Sequence, residues 1–470
     1  MILIPDVKRK SIGVFGLGLS GIATCEALAA SGAKVFSYDE NRAARDKTLD
    51  TEYRCEHPKD WPWQELEAVV VSPGVPLTHP KPHTIVRKAR QENVPVIGDT
   101  ELFARAVNAL EPHERPRVIG VTGSNGKSTT TALIGHILKQ AGEDVYVGGN
   151  IGEAVLSLPA FESDAVYVLE LSSFQLDLTH SLRLDAAVFL NLSPDHIDRH
   201  GSVDGYLAAK RRIFMNQTAA DLAVVGVDDD YGQSVSTRLM ANTGTEIRLI
   251  SAGSALGRGV YALDDKLYYN LDGKTAIAGD LTGARSLRGV HNFQNVAAAV
   301  AVCERFGVAP SLAIKSSQRF EGLPHRLEEV GRNGKVLFIN DSKATNADAT
   351  ARALTAFNDI FWIAGGKAKE GGVTSLLPMM DRVRTAYLIG DASADFEKQL
   401  SDTVNVVICG DLEKAVEAAN RDALKSDAKS PVVLLSPACA SYDQFKNFET
   451  RGNAFREFVS TLSVGNGEAA

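Results

Sequence analysis

Thr122-Gly123-Ser124-Asn125-Gly126-Lys127-Ser128-Thr129 follows the apolar run Val118-Ile119-Gly120-Val121 and precedes a helical pattern over 130–140. Its glycines expose backbone N–H groups to phosphate, Lys127 reaches β- and γ-phosphates, and Ser128 can ligate Mg²⁺. The strict G-x-x-x-x-G-K-[ST] pattern needs glycine at 121, where Val121 stands, so this is a shorter variant of the phosphate loop. Nucleoside triphosphate binding by Gly123, Ser124, Asn125, Gly126, Lys127, Ser128 and Thr129 is expected over a plain Gly-rich helix cap.

Two acidic segments lie downstream. Glu170 ends the apolar run 166–169, and a carboxylate at the carboxyl end of a strand beside such a loop is where Mg²⁺ ligands occur. The run Phe189 to His200 ends in Asp195-His196-Ile197-Asp198-Arg199-His200. Alone, these carboxylates and imidazoles equally suit a metal phosphoesterase; beside a phosphate loop they point to a Mg²⁺ and ATP site. Lys210 stands in Lys210-Arg211-Arg212 on a helical pattern, which by itself reads as a solvated face.

A second phosphate motif opens the chain. Gly16-Leu17-Gly18-Leu19-Ser20-Gly21 fits G-x-G-x-x-G between a strand and a helix, and Asp39 closes the next strand about 20 residues on. The glycines allow a tight turn against a diphosphate, and the acid can hold a sugar hydroxyl. The motif does not separate a nicotinamide cofactor from another nucleotide diphosphate. A phosphate loop in another domain has no work in hydride transfer, so a simple dehydrogenase is excluded.

The elements that position these residues read as α/β. Strands are expected at 11–15, 34–39, 69–72 and 94–97, with a helix over 22–30; then at 118–121, 165–169 and 186–190, with a hairpin turn at Leu271-Asp272-Gly273. Further strands are expected at 335–339, 360–364, 386–389, 405–408 and 432–435. The 470 residues, 44% hydrophobic and 23% charged, suit two to four domains. Fifty Lys and Arg against 58 Asp and Glu, a net charge of -8, give no wide basic surface for nucleic acid. Five scattered cysteines form no C-x-x-C pair, and no apolar run has membrane-spanning length, so a reducing cytoplasm without membrane insertion is expected.

Taken in order, the loop 122–129, Glu170-Leu171-Ser172-Ser173-Phe174-Gln175-Leu176, the Asp195-His196 turn, Lys210, His291-Asn292-Phe293-Gln294-Asn295 and Gly322-Leu323-Pro324-His325-Arg326 resemble the Mur ligase family over essentially the whole chain. These are ATP-dependent enzymes that form amide bonds in peptidoglycan precursor synthesis. The segments 340–346 and 435–452 resemble the branch that adds D-glutamate to UDP-N-acetylmuramoyl-L-alanine. The resemblance implies three α/β domains: 1–98, Rossmann-like and binding UDP; 99–322, the central P-loop ATPase-like domain; and 323–470, Rossmann-like and binding D-glutamate.

It also implies the following roles. Gly18, Leu19, Ser20, Gly21, Asp39 and the turn Ser72-Pro73-Gly74 would bind the UDP part, with Asn150 and Gln175 lining the substrate site. Lys127 would be catalytic. Ser128 and Glu170 would hold one Mg²⁺, and His196 and Lys210 a second, Lys210 as a carbamate. Asn292 and Asn295 would hold adenine, with Arg326 and Asp341 on the nucleotide. Thr345, Lys369, Ser441 and Phe448 would receive D-glutamate; in Gly365-Gly366-Lys367-Ala368-Lys369 the register favours Lys369 over Lys367. The proton acceptor is His196 or a neighbouring carboxylate. Catalysis spread over three domains implies closure, and a monomer acting on small molecules is expected. The alternatives are a folylpolyglutamate-type ligase, a Mur ligase for another amino acid, and a non-catalytic nucleotide-binding regulator. The stretch 111–117 is longer than a minimal linker and has no functional reading.

Overall fold

The computed structural model describes residues 1–48, 51–242, 244–284, 286–368 and 371–464, and its strands build three sheets. The first sheet contains β1 (Ser11–Phe15), β2 (Lys34–Tyr38), β3 (Arg54–Cys55), β4 (Leu66–Val71) and β5 (Val96–Ile97), all parallel, in the order β3-β2-β1-β4-β5. β1 and β4 are short apolar runs buried on both faces, as parallel strands between helices must be. The order reverses between β1 and β4, so a crevice opens at their carboxyl ends.

The second sheet holds nine strands. These are β6 (Arg117–Thr122), β7 (Val145–Gly149), β8 (Val166–Glu170), β9 (Ala186–Phe189), β10 (Leu222–Gly226), β11 (Glu246–Ser251), β12 (Gly259–Leu263), β13 (Lys266–Asn270) and β14 (Ala276–Asp280). Their order is β14-β13-β12-β11-β10-β9-β6-β8-β7, with β6 at the switch between β8 and β9. The last three strands form an antiparallel meander with two hairpins, where the sequence suggested one. The additional turn, Asp264-Asp265, holds both residues at positive φ (48° and 58°), which aspartate tolerates and which matches the twist of a two-residue hairpin.

The third sheet comprises β15 (Glu328–Asn333), β16 (Val336–Asn340), β17 (Ile360–Gly365), β18 (Val383–Ile389), β19 (Asn405–Gly410) and β20 (Val432–Leu435), in the order β15-β16-β20-β17-β18-β19. All pairs are parallel except β15 with β16. The sequence reading omits β15, because a charged edge strand, Glu-Glu-Val-Gly-Arg-Asn, lacks the apolar run used to recognise the others.

These sheets are distributed over two compact units, one of residues 1–283 with 292–319 and one of 284–291 with 320–470. The first two sheets share a unit because one apolar core runs through both, from Ile12, Val14 and Phe103 to Tyr167, Leu169 and Phe189. Polar ties reinforce it: Glu101 accepts from the backbone N–H groups of His180 (2.7 Å) and Ser181 (2.9 Å), bonds that hold its carboxyl below the ordinary range although burial pushes the other way. In the other unit, separate apolar clusters cover the third sheet, around Trp362 and Leu434 and around Phe361 and Phe455.

Candidate active site

Because β6 lies between β8 and β9, their carboxyl ends deliver the phosphate loop, Glu170 and the segment 190–200 to one crevice. The loop turns into the helix Lys127–Gln140 through Gly126, at φ +81°. A Cβ there would stand 2.2 Å from Asn295 Oδ1, so only glycine lets the loop approach that side chain. The loop after β9 laces it in place. Asn191 Oδ1 accepts from Asn125 N–H (3.0 Å), and Ser124 Oγ accepts from Ser193 N–H (3.0 Å) and donates to Ser193 O (3.1 Å). Asn295 accepts from Thr130 Oγ1 (3.1 Å) and donates to Asn292 Oδ1 (2.9 Å), which places the expected adenine pair, both buried, beside the phosphate loop.

Lys127 Nζ donates to Gly123 O (3.0 Å) and Ser124 O (2.9 Å), and Lys210 Nζ donates to the same Gly123 O at 2.7 Å. Two lysines thus share one carbonyl. Lys210 is 1% exposed and lies 4.7 Å from the Tyr206 ring centroid, so the solvated-face reading of its helix is wrong for this residue. Val203, Tyr206, Leu207 and Lys210 form one stripe of the helix Val203–Arg211, and that stripe faces inward while Arg211 and Arg212 are half-buried. Burial, and then the charge of Lys127, lower the Lys210 pKa well below its ordinary value, with Asp195 and Glu170 opposing.

Glu170 is 2% exposed; its Oε1 accepts from Asn150 Nδ2 (2.9 Å), and its Oε2 is buried without a hydrogen-bond partner among the described residues. A dry carboxylate oxygen on the residue paired with Val121, the strand residue that leads into the phosphate loop, suits a hard divalent cation. Among the described residues no three His, Cys, Asp or Glu side chains form a metal cage. His196 sits at φ +52° with its N–H on Asp195 Oδ1 (2.8 Å) and its ring against Phe174 and Tyr206. Burial lowers its pKa below the ordinary histidine value, with Asp195 opposing and Lys210 and Lys127 acting in the same direction as burial.

Toward the first sheet lies a cavity of about 240 Å³ lined by Leu19, Ser20, Pro73, Asn150 and Gln175, which brings together five residues expected around the UDP substrate. Gly18 caps the helix Leu19–Ala30, and a Cβ on Gly21 would stand 1.8 Å from Gly16 O, which accounts for glycine there. Ser72 Oγ donates to Gly16 O (3.1 Å). Asp39 Oδ2 accepts from Leu17 N–H at 2.6 Å, so this acid holds the glycine loop itself, and Gly74 follows Pro73 in the neighbouring turn.

In the second unit the loops after β16, β20 and β17 carry Thr345, Ser441 and Lys367, and these loops are tied to one another. Lys367 N–H donates to Ala440 O (2.8 Å), and Ala440 N–H donates back to Lys367 O (3.1 Å). Lys369, the residue expected to meet D-glutamate, lies outside the described residues. Asp341 accepts from Ser436 Oγ (2.8 Å), and burial raises its pKa to about 7 against the nearby charge of Arg326. Phe448 O accepts from Ser342 Oγ (2.9 Å), and the Lys343 ammonium lies 5.0 Å from its ring centroid.

Sequence reasoning missed Arg451. It is 1% exposed and donates to Ser342 Oγ (2.9 Å), Ser342 O (2.8 Å) and Cys439 O (3.1 Å), joining the loops after β16 and β20. Asn191 and Tyr206 were also missed; both sit in segments already singled out, where only the fold shows which side chain turns inward.

Two family models match the chain: "Mur ligase middle domain" over residues 121–303 and "Mur ligase, glutamate ligase domain" over residues 325–439. A protein of Caulobacter vibrioides (strain NA1000 / CB15N) named UDP-N-acetylmuramoylalanine--D-glutamate ligase is 51% identical over 470 residues, covering 100% of both chains. One of the same name from Phenylobacterium zucineum (strain HLK1) is 48% identical over the same length, again covering 100% of both. Among solved structures, UDP-N-acetylmuramate-alanine ligase MurC from Thermotoga maritima aligns with a TM-score of 0.58 at 18% identity, covering 96% of this chain and 99% of that one. MurF from Acinetobacter baumannii aligns with a TM-score of 0.58 at 17% identity, covering 97% and 93%. At such identities the structural likeness concerns the fold alone.

Proposed function

The chain belongs to the Mur ligase family, and from that premise we propose that it is an ATP-dependent ligase joining D-glutamate to UDP-N-acetylmuramoyl-L-alanine in peptidoglycan precursor synthesis. The observation that carries the substrate assignment is identity of 51% along the full length to a relative bearing that name. Lys127 and Lys210 meeting on Gly123 O, and Glu170 bonded to Asn150 of the 240 Å³ cavity, support the chemistry. The functional division into 1–98, 99–322 and 323–470 is part of the same proposal, as are a cytoplasmic location and a monomeric state. No helix among the described residues is long and apolar enough to cross a membrane.

A carboxylate does not react with an amine near pH 7, so the alanyl carboxylate is first phosphorylated by ATP, giving an acyl phosphate and ADP. The backbone amides of 123–129 cradle the phosphates, and Lys127 turns from its loop carbonyls to the transferring phosphoryl group. Ser128 and Glu170 would hold one Mg²⁺, and His196 and Lys210 a second, and the ions would supply charge neutralisation on the transferring phosphoryl group. Lys210 is read as a carbamate. Its buried, easily deprotonated amine is the form that adds CO₂, and the product is an oxygen ligand in place of a cation. Asn292 and Asn295 hold adenine, and Arg326 and Asp341 are assigned to the nucleotide.

The D-glutamate amine, oriented by Thr345, Ser441, Phe448 and Lys369, attacks the acyl carbon, and the tetrahedral intermediate collapses to amide and phosphate. His196 or a neighbouring carboxylate takes the ammonium proton. The uridine moiety rests on Gly18, Leu19, Ser20, Gly21, Asp39 and Ser72-Pro73-Gly74, with Asn150 and Gln175 toward the reacting end. Hydroxylamine added to enzyme, ATP and UDP-N-acetylmuramoyl-L-alanine without amino acid should trap a hydroxamate. A hydroxamate that forms equally without ATP, or activity on folate and none on the muramoyl nucleotide, would refute the reading.

A further inference from the structure

Arg199 is 5% exposed, and its guanidinium Nε and Nη1 are buried without hydrogen bonds among the described residues. Among the described residues, its one side-chain hydrogen bond runs from Nη2 to Val75 O, 3.0 Å away in the loop after β4. The guanidinium lies 5.2 Å from the Phe174 ring centroid, and Asp177 and Asp198 act on its charge from further off. A buried cation with two unmatched donors is costly, and mere packing is better served by an apolar side chain. The bond to Val75 therefore needs a reason.

Its two ends supply one. Val75 N–H donates to Ser72 O (2.9 Å), and Ser72 Oγ reaches Gly16 O, so the position of Val75 sets both the 72–75 turn and the glycine loop. At the other end Arg199 N–H donates to His196 O (3.1 Å). Phe174, under the guanidinium, immediately precedes Gln175, and His200 grips the same helix through Ser173 Oγ (3.0 Å) and Asp177 Oδ2 (3.4 Å). Pro73, from the turn after β4, and Gln175, from the helix Ser173–Asp177 after β8, both line the 240 Å³ cavity.

We propose that Arg199 is a positioning residue for the uridine-nucleotide substrate: it rivets the 72–75 turn to the loop bearing His196 and to the helix carrying Gln175, so that the segments lining the cavity keep one spacing. The inference rests on the ligase reading above. The test is steady-state kinetics of the full chain with UDP-N-acetylmuramoyl-L-alanine, ATP and D-glutamate, for wild type, Arg199→Met and Arg199→Lys, with circular dichroism on each. Met fills the volume without a donor, and Lys keeps one donor able to reach Val75 O.

Loss of one charge-assisted hydrogen bond should raise the KM for the muramoyl nucleotide about tenfold in Arg199→Met, with the KM for ATP within about twofold of wild type. Arg199→Lys should recover most of the difference. Parallel rises in both KM values, an unchanged muramoyl-nucleotide KM, or Lys as damaging as Met would each overturn the proposal. Should the Met variant fail to fold, the Lys variant decides: a muramoyl-nucleotide KM near wild type supports the rivet, and a rise shared with ATP overturns it. A wild-type chain that releases no phosphate sinks the ligase reading and this inference with it, whereas an active wild type with unresponsive variants sinks the inference alone.

Discussion

Gly126→Ala tests the geometry of the phosphate loop at its tightest point. Two costs add. Alanine at φ +81° is strained by about 1–2 kcal/mol. The new Cβ would also stand 2.2 Å from Asn295 Oδ1, far inside contact distance, so Asn295 must move. Moving it breaks buried hydrogen bonds to Thr130 and Asn292, each worth about 1 kcal/mol and more if a partner is left unmatched. The sum is roughly 3–5 kcal/mol. Gly142→Ala is the internal control, since φ there is +95° with nothing among the described residues within 4 Å of the new Cβ, so only the strain of about 1–2 kcal/mol applies.

Urea unfolding followed by circular dichroism, and ATP affinity by calorimetry, should both separate the two variants. In an Asn295→Ala background the additional cost of Gly126→Ala should shrink toward that of Gly142→Ala, a coupling of about 2 kcal/mol. Equal costs for the two glycine variants, or a Gly126→Ala cost unaffected by removing Asn295, would refute the packing described for the loop.

Further expectations follow from the same crevice. Lys127→Ala should abolish phosphate release because the transferring group loses its nearest cation, and near-normal turnover would refute the phosphate-loop role. Lys210→Ala should be inactive and partly rescued by a short carboxylic acid in the buffer; no rescue, together with an unmodified lysine by mass spectrometry of the active protein, would defeat the carbamate. His200 is held neutral with a pKa lowered to about 4, mainly by burial, so the unfolded chain binds the extra proton first. The stability it supports is complete above about pH 6.5 and is lost as pH falls toward 4, and His200→Gln should flatten that part of the pH–stability profile.

Much of this site is legible in the sequence because backbone geometry governs it. The phosphate loop and the glycine motif each follow a buried strand at a switch point, and Glu170 marks the end of a third such strand, so residue order alone places them. Lys210 is different: its neighbours Arg211 and Arg212 suggest a wet face, and only the inward stripe of Val203, Tyr206 and Leu207 shows where its ammonium goes. Arg451 and Arg199 are harder still, since each earns its place through partners more than 100 residues away. The Asp264-Asp265 hairpin and β15 were hidden for a simpler reason, as both carry charge where apolar alternation would have announced a strand.

The most direct test of the central claim is phosphate release with ATP and UDP-N-acetylmuramoyl-L-alanine, comparing D-glutamate with L-glutamate, L-alanine and meso-diaminopimelate. The account predicts rapid release and a new amide product with D-glutamate alone. Preference for any other amino acid, or release that ignores the amino acid supplied, would contradict it.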